Sequence, residues 1–212
     1  MTAPEPNDRV LVLAPHGRDS ELTIALLGGG GIVAEACADV AALCACMNAG
    51  AACAVITLES LLAPCEALVA ILASQQPWSD FPFVILTAGA LSRPRSLDHL
   101  GNVTLLERPV TGQTLLTAVR AALRGRARQY EARTAIHQRD QFLAMLGHEL
   151  RNPLGAIVLA SELAQVIDSD PSRYLVTINR QAHHLSRLVD DLLDVARVTS
   201  GKVVLQRGPV EL

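Results

Sequence analysis

Aromatic residues are scarce: three Phe, two Tyr and one Trp in 212 residues. Proteins that hold single-stranded nucleic acid use aromatic platforms for stacking, so this shortage argues against that class. An excess of one charge sign is also missing. Eighteen Lys and Arg stand against 21 Asp and Glu, a net charge of −3, which gives no support for a general nucleic-acid partner. Long uninterrupted apolar runs are absent too. The stretch Val40–Ile56 is broken by Asn48-Ala49-Gly50, so no membrane span is expected. Pro4, Glu5, Pro6 and Asp8 are wrong for a secretory leader, and a cytoplasmic protein is the expectation. The cysteines, Cys37, Cys44, Cys46, Cys53 and Cys65, are odd in number and form no CxxC. No nearby His pair completes a zinc set, so no metal is expected and the thiols read as reduced, buried, small hydrophobes. What is present is Ala, Leu and Val, and a chain that is half hydrophobic is not mainly disordered.

Charge and pattern divide the chain. Residues 1–110 carry a net −6 and residues 111–212 a net +3. The first part has short apolar runs separated by turn residues, and the second has long stretches of helical period. Two domains are expected, with the boundary inside a helix that starts near Thr111.

The first part alternates strand and helix. Strands are expected at Arg9–Ala14, Ile32–Cys37, Cys53–Thr57, Phe83–Thr87 and Val103–Leu106. Helices are expected at Asp19–Leu27, from an Asp39 cap to about Asn48, at Leu61–Ser74 and, more weakly, near Ser96–Leu100. The strands are continuous apolar runs, the mark of a parallel sheet covered on both faces. Such β/α alternation argues for a doubly wound, flavodoxin-like fold. Gly28–Gly31 follow a helix rather than a strand and precede no Gly-Lys-Ser/Thr, so they read as a helix stop rather than a phosphate loop.

Over about residues 8–122 this order of elements resembles a response-regulator receiver domain. Thr87 ends the fourth strand, where receivers carry a switch Thr or Ser, and Arg108-Pro109 stands where they carry Lys-Pro, often with a cis peptide. The acid pair that holds Mg²⁺ is replaced by Ala14, Pro15 and His16, and the phosphoacceptor Asp by Thr57 and Leu58, with Glu59 just beyond. Phosphoryl transfer to a carboxylate needs a cation held by oxygen ligands. The resemblance therefore implies a pseudo-receiver that accepts no phosphate. Glu59 either imitates a phosphorylated Asp or simply opens the next helix.

The second part is helical. A helix from Thr111 to about Val166 would be roughly 80 Å long and would need a partner. Leu143, Leu146, Leu150, Leu154, Ile157, Ser161 and Ala164 follow at steps of three or four. Leu175, Ile178, Ala182, Leu185, Val189, Leu192 and Ala196 do the same after a break at Asp168–Pro171. This predicts a helical hairpin with two apolar seams, each half covered, and hence a homodimer closing a four-helix bundle. Arg120, Arg124, Arg126, Arg128, Arg133 and Arg139 read as a nucleic-acid patch or, preferably, as a solvated helix face. Asp190, Asp191 and Asp194 likewise read as a solvated face, and His183 and His184 as surface or groove residues.

At 100° per residue His148 lies opposite the first seam, with Asn152 one turn on and Glu149 and Arg151 alongside. Pro153, inside the periodic run, costs on the order of 3 kcal/mol and loosens the turn that carries His148. The run His148-Glu149-Leu150-Arg151-Asn152-Pro153-Leu154 resembles the H-box of sensor histidine kinases of the HisKA type. Over about Asp140 to Val204 the likeness continues into His184-Leu185-Ser186-Arg187-Leu188-Val189-Asp190-Asp191-Leu192-Leu193-Asp194. It implies that His148 is the phosphoacceptor and Glu149 its acid/base partner. Asn152 matches a position that can orient water to dephosphorylate a partner regulator. A neutral imidazole is a competent nucleophile near pH 7, and an adjacent carboxylate can take the hydrogen bond of its other ring nitrogen.

The expected organisation is therefore a pseudo-receiver at 1–122, a helical linker at 123–139, a phosphoacceptor hairpin at 140–206 and the start of a further linker at 207–212. Family members carry an ATP-binding domain next, and no residue here is assigned to ATP or Mg²⁺. The chain reads as part of a longer kinase, with no cofactor of its own, whose partners are a second copy, an ATP-binding catalytic domain and a cognate response regulator. A non-catalytic histidine-phosphotransfer scaffold is the alternative.

Overall fold

The computed structural model describes residues 9–15, 18–61, 66–88, 95–166 and 172–199. It divides into two units, Met1–Ala135 and Ile136–Leu212.

The first unit is built on five parallel strands: β1 (Val10–Leu13), β2 (Ala34–Ala36), β3 (Cys53–Thr57), β4 (Phe83–Thr87) and β5 (Val103–Glu107). Their order is β2-β1-β3-β4-β5, the doubly wound arrangement expected from the apolar runs. β1, β3 and β4 are buried at every position. Successive side chains of a strand point to opposite faces, so each apolar run feeds two cores. Leu11, Leu13, Ile56, Phe83 and Ile85 pack with Leu43 and Leu68 on one face. Val10, Val12, Val55 and Val84 pack with Leu27, Leu115 and Val119 on the other.

The connecting helices are α1 (Asp19–Gly29), α2 (Val40–Ala49) and α3 (Glu66–Ala73). Asp39 caps α2, its Oδ1 accepting the Ala42 N–H at 2.7 Å. The single helix expected over Leu61–Ser74 is instead a 3-10 turn, Leu58–Leu61, followed by the shorter α3; residues 62–65 lie outside the description. Ser96–Leu100 is also a 3-10 segment, spanning Arg95–Leu100. Gly28–Gly31 end α1, with Gly31 at φ 77. A Cβ at Gly30 would come 2.5 Å from Leu116 Cδ2, so this run is a helix stop with close packing.

Cys37, Cys44 and Cys53 are buried thiols outside any disulfide, whereas Cys46 is half-buried, 3.7 Å from Glu35 Oε1, and Cys65 lies outside the described residues. Burial pushes the Cys53 thiol up to about 12. Cys37 is likewise raised to about 12, first by burial and then by its neighbours Cys46 and Glu35.

α4 runs from Gly112 to Val166 and α5 from Ser172 to Thr199. Within the second unit, Pro153 and Ala160 are the buried positions of α4, with Leu146, Leu150, Ile157, Ser161 and Ala164 half-buried. The expected seam is thus rotated: Leu143 and Leu154 are more than half exposed. On α5, Ile178, Leu185 and Leu192 are half-buried, while the alternate seam positions Leu175, Ala182 and Val189 are exposed. Among the described residues no helix is long and apolar enough to cross a membrane.

Candidate functional site

The H-box lies wholly within α4. Apolar residues at helical spacing turn Leu146, Leu150 and Pro153 inward, and that fixes where the residues between them face. His148, Glu149, Arg151 and Asn152 are all exposed. No described side chain hydrogen-bonds the His148 ring, and Glu149 is adjacent in sequence without being bonded to it. Asn152 sits one turn beyond His148 on the same outer side. Pro153 stays within the helix. It has no N–H to offer the carbonyl of Glu149, four residues back, so the backbone ladder is interrupted next to His148. The site offers an open imidazole, a neighbouring carboxylate and an amide, on a turn lacking one backbone bond. His183, His184, Asp190 and Asp191 are exposed on α5; the side chain of Asp194 lies outside the description.

A second polar edge lies in the first unit, at the C-terminal ends of the strands. Thr57 is buried, its hydroxyl 2.7 Å from that of Ser60, and Glu59 is half-buried in the 3-10 turn that follows. Thr87 is buried and donates to the Leu106 carbonyl at 3.5 Å. The Arg108–Pro109 peptide is cis, and the Arg108 guanidinium pairs with Asp19 at 3.5 Å. Ala14 is buried and Pro15 exposed, and His16 lies outside the described residues. No cluster of three His, Cys, Asp or Glu that could hold a metal occurs among the described residues.

The basic segment departs from its expected solvated face at one residue. Arg126 is only 7% exposed. Its guanidinium lies 5.4 Å from the Trp78 ring, 5.6 Å from Phe81 and 4.9 Å from Tyr130. Nη1 donates to Ser79 Oγ at 2.9 Å and to Gln129 Oε1 at 2.8 Å. Gln129 binds the Asp80 backbone in return, its Nε2 donating to the carbonyl at 2.9 Å and its Oε1 accepting the N–H at 3.1 Å. The exposed Arg133 lies with its guanidinium 4.6 Å from the Trp78 ring centroid. Three of the chain's six aromatic rings thus converge on one arginine. That convergence was invisible in the local pattern. The one available signal was the rare Trp78, placed in a loop with no apolar period to explain it.

Residues 138–201 match the family model of the His Kinase A (phospho-acceptor) domain. The chain is 41% identical over 88 residues to the cell-division control histidine kinase PdhS of Brucella ovis. That match covers 39% of this chain but only 8% of the relative, so the chain spans a small part of the relative's length. In fold, it is similar to the response regulator StyR, with a TM-score of 0.51 at 19% identity, covering 84% of this chain and 91% of that one. NtrX of Brucella abortus, whose structure was solved in complex with ADP, gives a TM-score of 0.50 at 19% identity, covering 61% of this chain and 29% of that one. The expected HisKA resemblance and the receiver-like fold of the first unit are both borne out.

Proposed function

We propose, with residues 138–201 matching a His Kinase A phospho-acceptor domain, that this chain is the regulatory and phosphoacceptor portion of a cytoplasmic two-component histidine kinase. The carrying observation is the exposure of His148 on α4 inside the matched span. A neutral ring nitrogen of His148 attacks the γ-phosphorus of ATP held by a separate catalytic domain. An N–P bond forms, the bond to the ADP oxygen breaks, and Glu149 takes up the hydrogen bond or proton of the other ring nitrogen. Mg²⁺ and ATP belong to that catalytic domain, and no residue here is assigned to them. The phosphoryl group then passes to an Asp of a response regulator, and Asn152 positions water when the regulator is dephosphorylated. The receiver-like unit acts as an input that takes no phosphate, because the positions for acid pair and phosphoacceptor hold Ala14, Pro15 and Thr57.

Two copies of the hairpin form the working unit. Leu175, Ala182 and Val189 repeat every seven residues on an exposed face of α5, as a seam awaiting a second hairpin does. The deciding experiment supplies a catalytic domain and labelled ATP. Wild-type chain takes up label, and His148→Gln takes up none; label persisting in the variant refutes the assignment. A phosphotransfer scaffold is the second reading, favoured by the same open His148. It predicts labelling from a phosphorylated receiver but not from any catalytic domain.

A further inference from the structure

The Arg126 cluster holds a buried cation without a counter-charge. Every hydrogen-bond partner of its guanidinium, namely Ser79, Gln129 and Tyr130, is neutral. Among the described residues no carboxylate lies within ion-pair distance of Arg126 or Arg133. The Arg126 Nε–H is buried and has no acceptor among the described residues. Ring faces offset part of the cost of burying a guanidinium, but a charge removed from water is ordinarily paired.

Beside it lies a cavity of about 500 Å³, in the range of small-molecule pockets. Arg126 and Arg133 line it, with Trp78, Tyr130, Asn48 and Gln75, and among the described residues its lining contains no Asp or Glu. Trp78 and Tyr130 both line it, their ring centroids 5.2 Å apart and tilted at 53°. The pocket sits where the chain enters β3 and β4, close to Ala51 and Phe81, at the opposite end of the strands from Thr57 and Thr87.

We propose that this pocket, between the loop following α3 and the Arg126–Arg133 turns of α4, binds a small planar anion: an aromatic ring carrying a carboxylate or phosphate. The ring stacks against Trp78 and Tyr130, and the anionic group meets Arg126 and Arg133. The ligand supplies the missing counter-charge, and it does so on the helix that also carries His148. The binding itself does not depend on the role of His148.

Trp78 is the chain's single tryptophan, so its emission reports on the site without a label. The whole chain is titrated with benzoate and with phenyl phosphate, and with benzamide as an uncharged counterpart. A saturable change in emission with at least one anion below about 10 mM, absent with benzamide, is expected. Arg133→Gln, at an exposed position, should weaken the binding about tenfold while circular dichroism stays unchanged. Arg126→Met should remove it. The proposal is overturned if neither anion gives a saturable change, if benzamide binds equally well, or if Arg133→Gln binds like the wild type.

Discussion

Two side chains show how burial and exposure assign different work to groups that titrate. His148 is exposed, with its ring nitrogens free of described partners, as its proposed role requires. Cys53 is fully buried within β3, and its thiol stays protonated far into the alkaline range, up to about 12 against an ordinary value of 9.0. The unfolded chain loses that proton near its ordinary value while the folded chain keeps it. Above it the folded state therefore holds more protons, and stability falls as pH rises toward the folded value. The expected loss is about 1.4 kcal/mol per pH unit for this thiol. Urea unfolding at about pH 8 and about pH 10 measures it, and Cys53→Ala should show a smaller decline between the two. Arg126 is a charge buried among rings and neutral hydrogen-bond partners. Removing its packing and hydrogen bonds by Arg126→Ala should cost about 2 kcal/mol. Arg126→Met keeps most of the volume and discards the unpaired charge, so it should cost well under half as much in the same urea assay.

Elements differ in how openly the sequence declares them. β1, β3 and β4 are buried on both faces, so their apolar runs are continuous and their limits were readable almost to the residue. β2 was expected over six residues and spans three, because an edge strand lacks that double burial and shows half-exposed positions. The His148 turn was legible because its chemistry is local: seven consecutive residues carry it. The Arg126 site was not, since Ser79 and Arg126 lie 47 residues apart and meet only through the fold. The hairpin seam was read with the right period and a displaced centre. Pro153 and Ala160, a helix breaker and a small residue, carry little apolar weight in a pattern, yet they occupy the buried line of α4. Pro153 also makes the element testable. Pro153→Ala restores a backbone bond to the Glu149 carbonyl, and should stabilise the hairpin by about 1–2 kcal/mol net of the lost ring packing. If the interrupted ladder serves His148, labelling by a supplied catalytic domain should slow severalfold in this more stable variant. Unchanged labelling would make the proline a packing residue only.

At the level of the whole molecule, one hairpin leaves apolar surface open. Leu143, Leu154 and Leu175 are 55%, 53% and 56% exposed, and Val189 is 42% exposed. Scattered apolar residues on a surface mean little, but Leu175, Ala182 and Val189 recur at intervals of seven on one helix face. Within α5 the other seam positions, Ile178, Leu185 and Leu192, are half-buried at the same interval. One helix therefore carries two parallel stripes, one half-buried and the other exposed. A second hairpin is the proposed partner, because it presents the same exposed stripe and a two-fold arrangement lets each cover the other. Full burial of an exposed side chain of this size contributes about 1.5–3 kcal/mol, and these are already about half buried, so each adds about 1 kcal/mol toward an association cost of about 4–15 kcal/mol that the rest of the seam must help offset. Sedimentation of the wild-type chain should accordingly show a dimer at micromolar concentration. Leu154→Asp combined with Val189→Asp should give a monomer of unchanged helix content, because neither side chain lies in the buried line of its own hairpin. A wild-type monomer, or a double variant that still sediments as a dimer, would mean that these stripes are not the seam between copies.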